Sequence, residues 1–277
     1  MWPFWDSVIA PLLDAAGSRT IVEIGAEQGR TTRMLLQRAA RVGGRVEAID
    51  PAPRLDVSRW ELEHGERLRF HRARSVDALP TLAAVDAALI DGDHNWHTVH
   101  SELTLLARVA AAGSQPLPLI IAHDAGWPYG RRDMYYDPHS LPREARHDAV
   151  RSGVLPGRSE LSPKGINAGH WNATHEGGRR NGVLTAIEDF VANADEQITT
   201  AVIPGWHGLA VVASEPRLAV GPDLRAELVR LRSPAFLGEQ AERLERARIL
   251  AGLRPQRTRA GDGGSTRDYG MLDEPGT

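Results

Sequence analysis

Residues 20–32, TIVEIGAEQGRTT, read as a β-strand that runs through a glycine-punctuated turn into a helix, with Glu23 near the strand's end. Gly25 and Gly29 permit tight backbone geometry and close approach of a ligand, and the helix that follows, TTRMLLQRAA, offers free N–H groups at its N-terminus. Such a turn can serve a dinucleotide, a nucleoside or nothing, so its neighbours decide. Asp50 closes a second apolar strand, RVEAID, 25 residues after Gly25, the spacing at which an acidic side chain meets ribose hydroxyls in nucleotide folds. The Gly-x-Gly-x-x-Gly pattern that holds a pyrophosphate is absent, because Gly25 and Gly29 stand four apart and the middle position is Glu27, whose charge repels a diphosphate. The turn therefore favours a nucleoside-type ligand.

Working outward, strand-like runs at 21–24, 46–49, 68–71, 87–90 and 117–122 alternate with helical patterns near 30–41, 54–63, 76–83 and 96–110. That alternation predicts an α/β fold with a doubly wound, mostly parallel seven-stranded sheet, whose antiparallel closing pair comes from 198–203 and 208–213 after a helix at 182–194. Ligands bind such a sheet beyond the carboxyl ends of its strands, where Glu23, Asp50, Asp91 and Asp124 all fall. Between about 125 and 181 no period persists, and a stretch this long inside a domain reads as a functional lid. The expected organisation is a core of residues 1–215 carrying that lid, two amphipathic helices over 216–253 broken at Ser233-Pro234, and a disordered Gly/Arg/Asp-rich tail at 254–277.

The chain's 277 residues are 42% hydrophobic, enough for a substantial core. A net charge of −3 and a pI of about 6.4 give no electrostatic case for nucleic acid, and no apolar run reaches the roughly 20 residues of a membrane helix. The first residues, MWPFWDSVIAPLL, lack a basic start and read as an amphipathic helix rather than an export signal. Zero cysteines exclude disulfides and thiolate metal sites and fit a cytoplasmic location. Lys164 is the only lysine among 33 basic residues, a bias that suggests a GC-rich bacterial genome. The N- and C-terminal helices are the candidate surfaces for a homo-oligomer.

A second constellation lies at Asp91-Gly-Asp-His94-Asn-Trp96 and His123-Asp124, where carboxylates and imidazoles offer ligands to a hard or borderline divalent ion. Helix capping competes for part of it: Asn95 precedes a helix with the stripe Val99, Leu103, Leu106, and Asp93 favours the helix dipole. His97 and His100 fall on the solvated side of that helix. In the lid, Trp127, Tyr129, Tyr135, Tyr136 and Trp171 could stack on a sugar or aromatic acceptor, with Trp96 and Trp206 nearby, and Arg131, Arg132, Arg179 and Arg180 could clamp an acidic group. Of these, Trp96, Trp127, Tyr129, Arg131 and Trp171 are the substrate candidates.

The first segment resembles motif I of the class I S-adenosylmethionine-dependent methyltransferases, with Glu23, Gly25 and Gly29 at matching positions, Asp50 as the ribose acid, and the middle glycine missing. LIDGDHNWHTVHSELTLL followed by IIAHD is similar to a metal-dependent O-methyltransferase subgroup acting on macrolide-type sugars. The resemblance implies a Rossmann-like methyltransferase fold and S-adenosylmethionine at Glu23, Gly25, Glu27, Gly29, Asp50, Ser75 and Asp91. It further implies a divalent ion, magnesium or manganese, at Asp91 and Asp124, and His94 as base. His123 stands where the subgroup has the first acid of a pair; as a third ligand its imidazole shifts preference away from magnesium. The implied activity is O-methylation of a small-molecule acceptor, a sugar or polyol of a natural product or surface saccharide. A metal-dependent hydroxylase of the same fold and a non-catalytic cofactor-binding scaffold are the alternatives.

Overall fold

The structure, a computed structural model, describes residues 1–253; the tail expected to be disordered lies outside them. In chain order the elements are α1 (Ala10–Ala15), β1 (Thr20–Ile24), α2 (Arg30–Val42), β2 (Arg45–Ile49), α3 (Val57–His64), β3 (Leu68–His71), α4 (Ser75–Ala78), β4 (Ala87–Ile90), α5 (Trp96–Ala112) and β5 (Leu119–His123). The remainder comprises β6 (Met134–Tyr135), β7 (Ala149–Arg151), β8 (Trp171–Ala173), α6 (Val183–Ala192), β9 (Ile198–Ile203), β10 (Leu209–Ser214), α7 (Glu215–Ala219), α8 (Pro222–Leu231) and α9 (Pro234–Leu253).

Seven strands form one sheet in the order β3-β2-β1-β4-β5-β10-β9, parallel except for β10, which runs antiparallel to both β5 and β9. The central strands are apolar nearly throughout because helices cover both faces. Adjacent residues of a strand point to opposite faces. Ile21 and Leu89 thus pack with Phe4, Leu12, Leu35 and Leu224 on one side. Val22 and Ile90 pack with Val99, Leu103, Leu106 and Ile187 on the other. Helix α8 buries Leu224, Leu228 and Leu231 and lies against α1. Among the described residues no helix is long and apolar enough to cross a membrane.

Two helices differ from the sequence pattern for local reasons. Asp56 accepts a hydrogen bond from Arg59 N (3.1 Å), capping α3 so that it starts at residue 57 instead of 54. The expected helix at 76–83 is one turn, Ser75–Ala78, followed by a 3-10 turn at Leu79–Thr81; Pro80 supplies no N–H to prolong an α-helix.

Strand order reverses between β1 and β4, and the crevice there is where doubly wound sheets hold ligands. Gly25 sits in this crevice at φ 89°, and a Cβ on it would stand 2.2 Å from the Asp91 carbonyl oxygen, so no other residue fits. The segment 125–181 carries its own antiparallel sheet, β6-β8-β7, whose strands of two and three residues are too short to show a period. Its first strand is tied to the core where Met134 N donates to His94 O (2.9 Å).

Candidate active site

The turn after β1 closes on Asp50. One carboxylate oxygen accepts from Glu27 N (2.7 Å) and the other from Ala52 N (2.8 Å), fixing the ends of β1 and β2 together. Each oxygen keeps a lone pair for a further donor. Glu27 adopts φ 46°, the left-handed conformation that the missing middle glycine would take most readily. Glu23 is buried on β1, and burial pushes its carboxyl up to about 8. Its Oε2 has no partner in hydrogen-bond geometry, while the Thr32 hydroxyl beside the carboxyl partly opposes the upward shift.

Asp91 and Asp124, brought to the same edge by the adjacent strands β4 and β5, converge with His123 so closely that their ligating atoms all lie within 4.8 Å of one another. His123 Nδ1 is 3.1 Å from Asp91 Oδ1 and 2.8 Å from Asp124 Oδ2, and its Nε2 donates to Trp206 O (2.8 Å). Burial alone would lower the His123 pKa, but Asp91 and Asp124 outweigh it and lift it to about 9. Conversely, burial would raise Asp91, and His123 with the chain's terminal ammonium holds it well below the usual carboxylate range. That ammonium lies 3.1 Å from Asp91 Oδ2, and Phe4 meets the rings of His123 and Trp206 edge-on. Asp124 itself holds φ 58°, a strained value of the kind that collects at functional sites.

His94 Nε2 lies 3.2 Å from Asp124 Oδ2 and 3.8 Å from Asp91 Oδ1, yet neither ring nitrogen has a partner in hydrogen-bond geometry. Tyr129 stacks on this imidazole at 5.5 Å between centroids, its hydroxyl accepting from Asn167 (2.7 Å), and Tyr136 leans over it at 5.9 Å. His94 is buried, which lowers its pKa, but the nearby Asp124 and Asp91 carboxylates leave it above its ordinary value. Asn95 caps α5 by accepting from Thr98 N (2.9 Å), and Asp93 accepts from Asn95 and from the Thr98 hydroxyl.

Other candidates sit elsewhere. Ser75 is buried and donates to Glu102 Oε1 (2.5 Å). Arg131 is engaged by Glu188 of α6 at 2.5 and 2.6 Å, and Trp171 stacks with Arg151. Trp127 is exposed at the start of the lid. The Trp96 indole donates to Asp189 (2.8 Å) and stacks on His100 at 4.6 Å, so one face of the half-exposed His100 ring is packed. Arg132 is fully buried and donates to the carbonyls of Ala173 and Ser159, which makes it a strut inside the 125–181 segment.

Sequence reasoning missed Asp133, Asn181 and Glu102. Asp133 is fully buried and takes hydrogen bonds from Trp96 N, Gly182 N and the Tyr135 hydroxyl, while Asn181 Oδ1 accepts from Asp133 N. Nothing in the polar run around them marks either residue. Glu102 did carry a signal: it falls three residues after Val99, on the apolar face of α5, where burial lifts its carboxyl to about 8.

Residues 22–125, which span the turn and both halves of the acid cluster, match a family model described as a methyltransferase domain. Similar solved structures include the methyltransferase PaMTH1 of Podospora anserina, bound to SAH, at 12% identity and a TM-score of 0.45 over 74% of this chain and 76% of that one. Another is 1,6-didemethyltoxoflavin-N1-methyltransferase of Burkholderia thailandensis, at 18% identity and a TM-score of 0.39 over 76% and 80%. A third is the N-methyltransferase NodS of Bradyrhizobium japonicum WM9, at 10% identity and a TM-score of 0.40 over 74% and 90%. No curated protein matches the chain at a significant level. Residues 22–125 thus match a methyltransferase domain, and the strand order is that of a Rossmann-like methyltransferase fold.

Proposed function

We propose that the chain transfers a methyl group from S-adenosylmethionine to a hydroxyl of a small molecule, a sugar or polyol, with a divalent cation held by Asp91, His123 and Asp124. The observation that carries this reading is the convergence of those three residues beside the Gly25 turn, with His94 3.2 Å from Asp124. An amine acceptor needs neither a metal nor a strong base, whereas an alkyl hydroxyl is a poor nucleophile at neutral pH. The donor set fits a cation: two carboxylates already draw positive charge to themselves, and His123 Nε2 is committed to Trp206, which leaves Nδ1 to face the site. When bound, the ion lowers the pKa of a coordinated hydroxyl. S-adenosylmethionine would supply the methyl group, His94 would take the proton that the acceptor hydroxyl gives up, and Tyr129 fixes the plane of the His94 ring. Glu23 and Asp50 are assigned to the cofactor's amino and ribose groups, in keeping with the unpartnered Glu23 Oε2.

Two expected outcomes test this. The protein should bind S-adenosylmethionine and not NAD in calorimetry, and Asp50→Ala should weaken that binding by roughly 1.5–3 kcal/mol, the worth of hydrogen bonds to a charged group. Unchanged affinity would remove Asp50 from the cofactor site. Because His123 is protonated below about 9, manganese binding at pH 7 should release close to one proton and tighten as pH rises toward that value. Enthalpies that do not vary among buffers of different ionisation heat would exclude His123 as a ligand.

A second reading has an observation of its own. His94 and His123 with one of the two carboxylates also compose the two-histidine, one-carboxylate set that binds ferrous iron in oxygenases. Product formation that requires iron and oxygen and ignores S-adenosylmethionine would favour it.

A further inference from the structure

Arg131, Arg132, Arg179 and Arg180 do not share one role. Arg131 is paired with Glu188 and Arg132 is buried as a strut, but Arg179 has no hydrogen-bond or ion-pair partner among the described residues, and the Arg180 guanidinium has no acid. The latter lies over the Trp96 indole at 5.0 Å from its centroid. Stacking of this kind uses the face of a guanidinium and leaves its N–H edge free. The backbone of Arg180 holds φ 53°, where an arginine is more costly than a glycine, and its carbonyl accepts from His147 Nε2 (2.8 Å).

These residues border a cavity of about 350 Å³ between the first turn of α5 and the lid, whose lining includes Trp96, His97, Arg146, His147, Arg179 and Arg180. Three guanidinium groups face one acid, Glu144, with Asp189 committed to the Trp96 indole. Arg146 is partly engaged by the Pro138 carbonyl. The Trp96 side chain meets Asp189, His100 and Arg180 and packs on the apolar core, and the cavity lining includes none of the Asp91 cluster, so the cavity has its own walls.

We propose that this cavity is a binding site for the oxyanion of a small molecule, a carboxylate or a phosphoryl group, gripped by the N–H edges of Arg179 and Arg180. The volume accommodates a ligand larger than the anion alone, and the indole edge and Pro142 offer apolar contact to the rest of it. The site does not depend on the methyl-transfer reading.

Calorimetry with phenyl phosphate, benzoate, inorganic phosphate and neutral benzyl alcohol tests it. The intact chain should bind at least one of the anionic aromatic probes with unit stoichiometry and should ignore benzyl alcohol. Preference for phenyl phosphate assigns a phosphoryl ligand; preference for benzoate assigns a carboxylate. Arg179→Ala combined with Arg180→Gly should weaken the preferred probe roughly tenfold or more, as loss of charge-assisted contacts requires. Arg180→Gly relieves the left-handed backbone, so thermal unfolding of the variant should occur no lower than in the native protein, separating loss of ligand from loss of fold. Arg225→Ala, which removes an exposed arginine paired with Glu215, should leave binding unchanged. No binding of any anion up to about 10 mM, or equal binding by the double variant, overturns the proposal.

Discussion

His94→Ala is expected to lose roughly 10²–10⁴-fold in kcat, the usual worth of a positioned base, while binding of S-adenosylmethionine and manganese changes little. The geometry makes the prediction specific. The imidazole is buried under Tyr129, its Nε2 points at the acid cluster without a hydrogen-bond partner, and its main chain is held by Met134. The variant therefore removes a poised acceptor without unlatching the lid. Steady-state kinetics with calorimetry on the same preparation measure both halves. Loss of manganese binding with activity restored by excess ion would make His94 a ligand.

The pH dependence follows with its sign. With His94 as the proposed base, neutral imidazole is the active form, so kcat/KM should be lost as pH falls through the His94 pKa. Burial depresses that pKa, but the Asp124 and Asp91 carboxylates raise it above the ordinary value of about 6.5. A divalent ion between those carboxylates cancels their pull and repels an imidazolium, so manganese should move the His94 titration, followed by NMR, to lower pH. A titration indifferent to the ion would separate His94 from the cluster.

The sheet was legible because its signals are local. Each of β1, β2, β4 and β5 is an apolar run buried on both faces, and each helix between them carries an apolar stripe or a breaker. The acids at strand ends could be read too, since a parallel sheet brings every carboxyl end to one edge: Gly25 touches Asp91, and Asp50 meets the Glu27 amide. Two sequence expectations failed at helix boundaries, where Asp56 sets the start of α3 and Pro80 the end of α4 against the hydrophobic pattern.

What the sequence concealed depends on contacts distant along the chain. Ser75 looks like a free hydroxyl beside a cofactor cleft until α5 supplies Glu102, 27 residues away, to accept its hydrogen bond. Arg131 and Arg132 are neighbours of one type with opposite fates, one at the surface against α6 and one buried inside the lid, and no rule of composition separates them. The lid's β-strands pair over gaps that no short period records.

Asp133→Ala is expected to destabilise the protein by roughly 3–5 kcal/mol, the cost of breaking a buried polar hub. Its Oδ1 accepts from Trp96 N at 2.7 Å and Gly182 N at 2.6 Å, and its Oδ2 from the Tyr135 hydroxyl at 2.8 Å. Alanine leaves two buried amides and a phenol without an acceptor, at about 1–3 kcal/mol each. Part of that is offset, because burial already disfavours the Asp133 carboxylate and raises its pKa. The surroundings cannot close around the gap: Gly182 is at φ 92°, and even a Cβ there would lie 2.5 Å from Arg132 N. Asp133→Asn keeps an acceptor for the two amides and faces Tyr135 with a donor instead, so its loss should be about half as large. The melting temperature should fall by roughly 2–4 °C per kcal/mol, with hydrogen exchange at Trp96 and Gly182 accelerating before exchange in β1 and β4. Equal stability of Asp133→Ala and the native chain would mean that the lid is held by its arginine strut and by the His94 backbone, with the carboxylate a bystander.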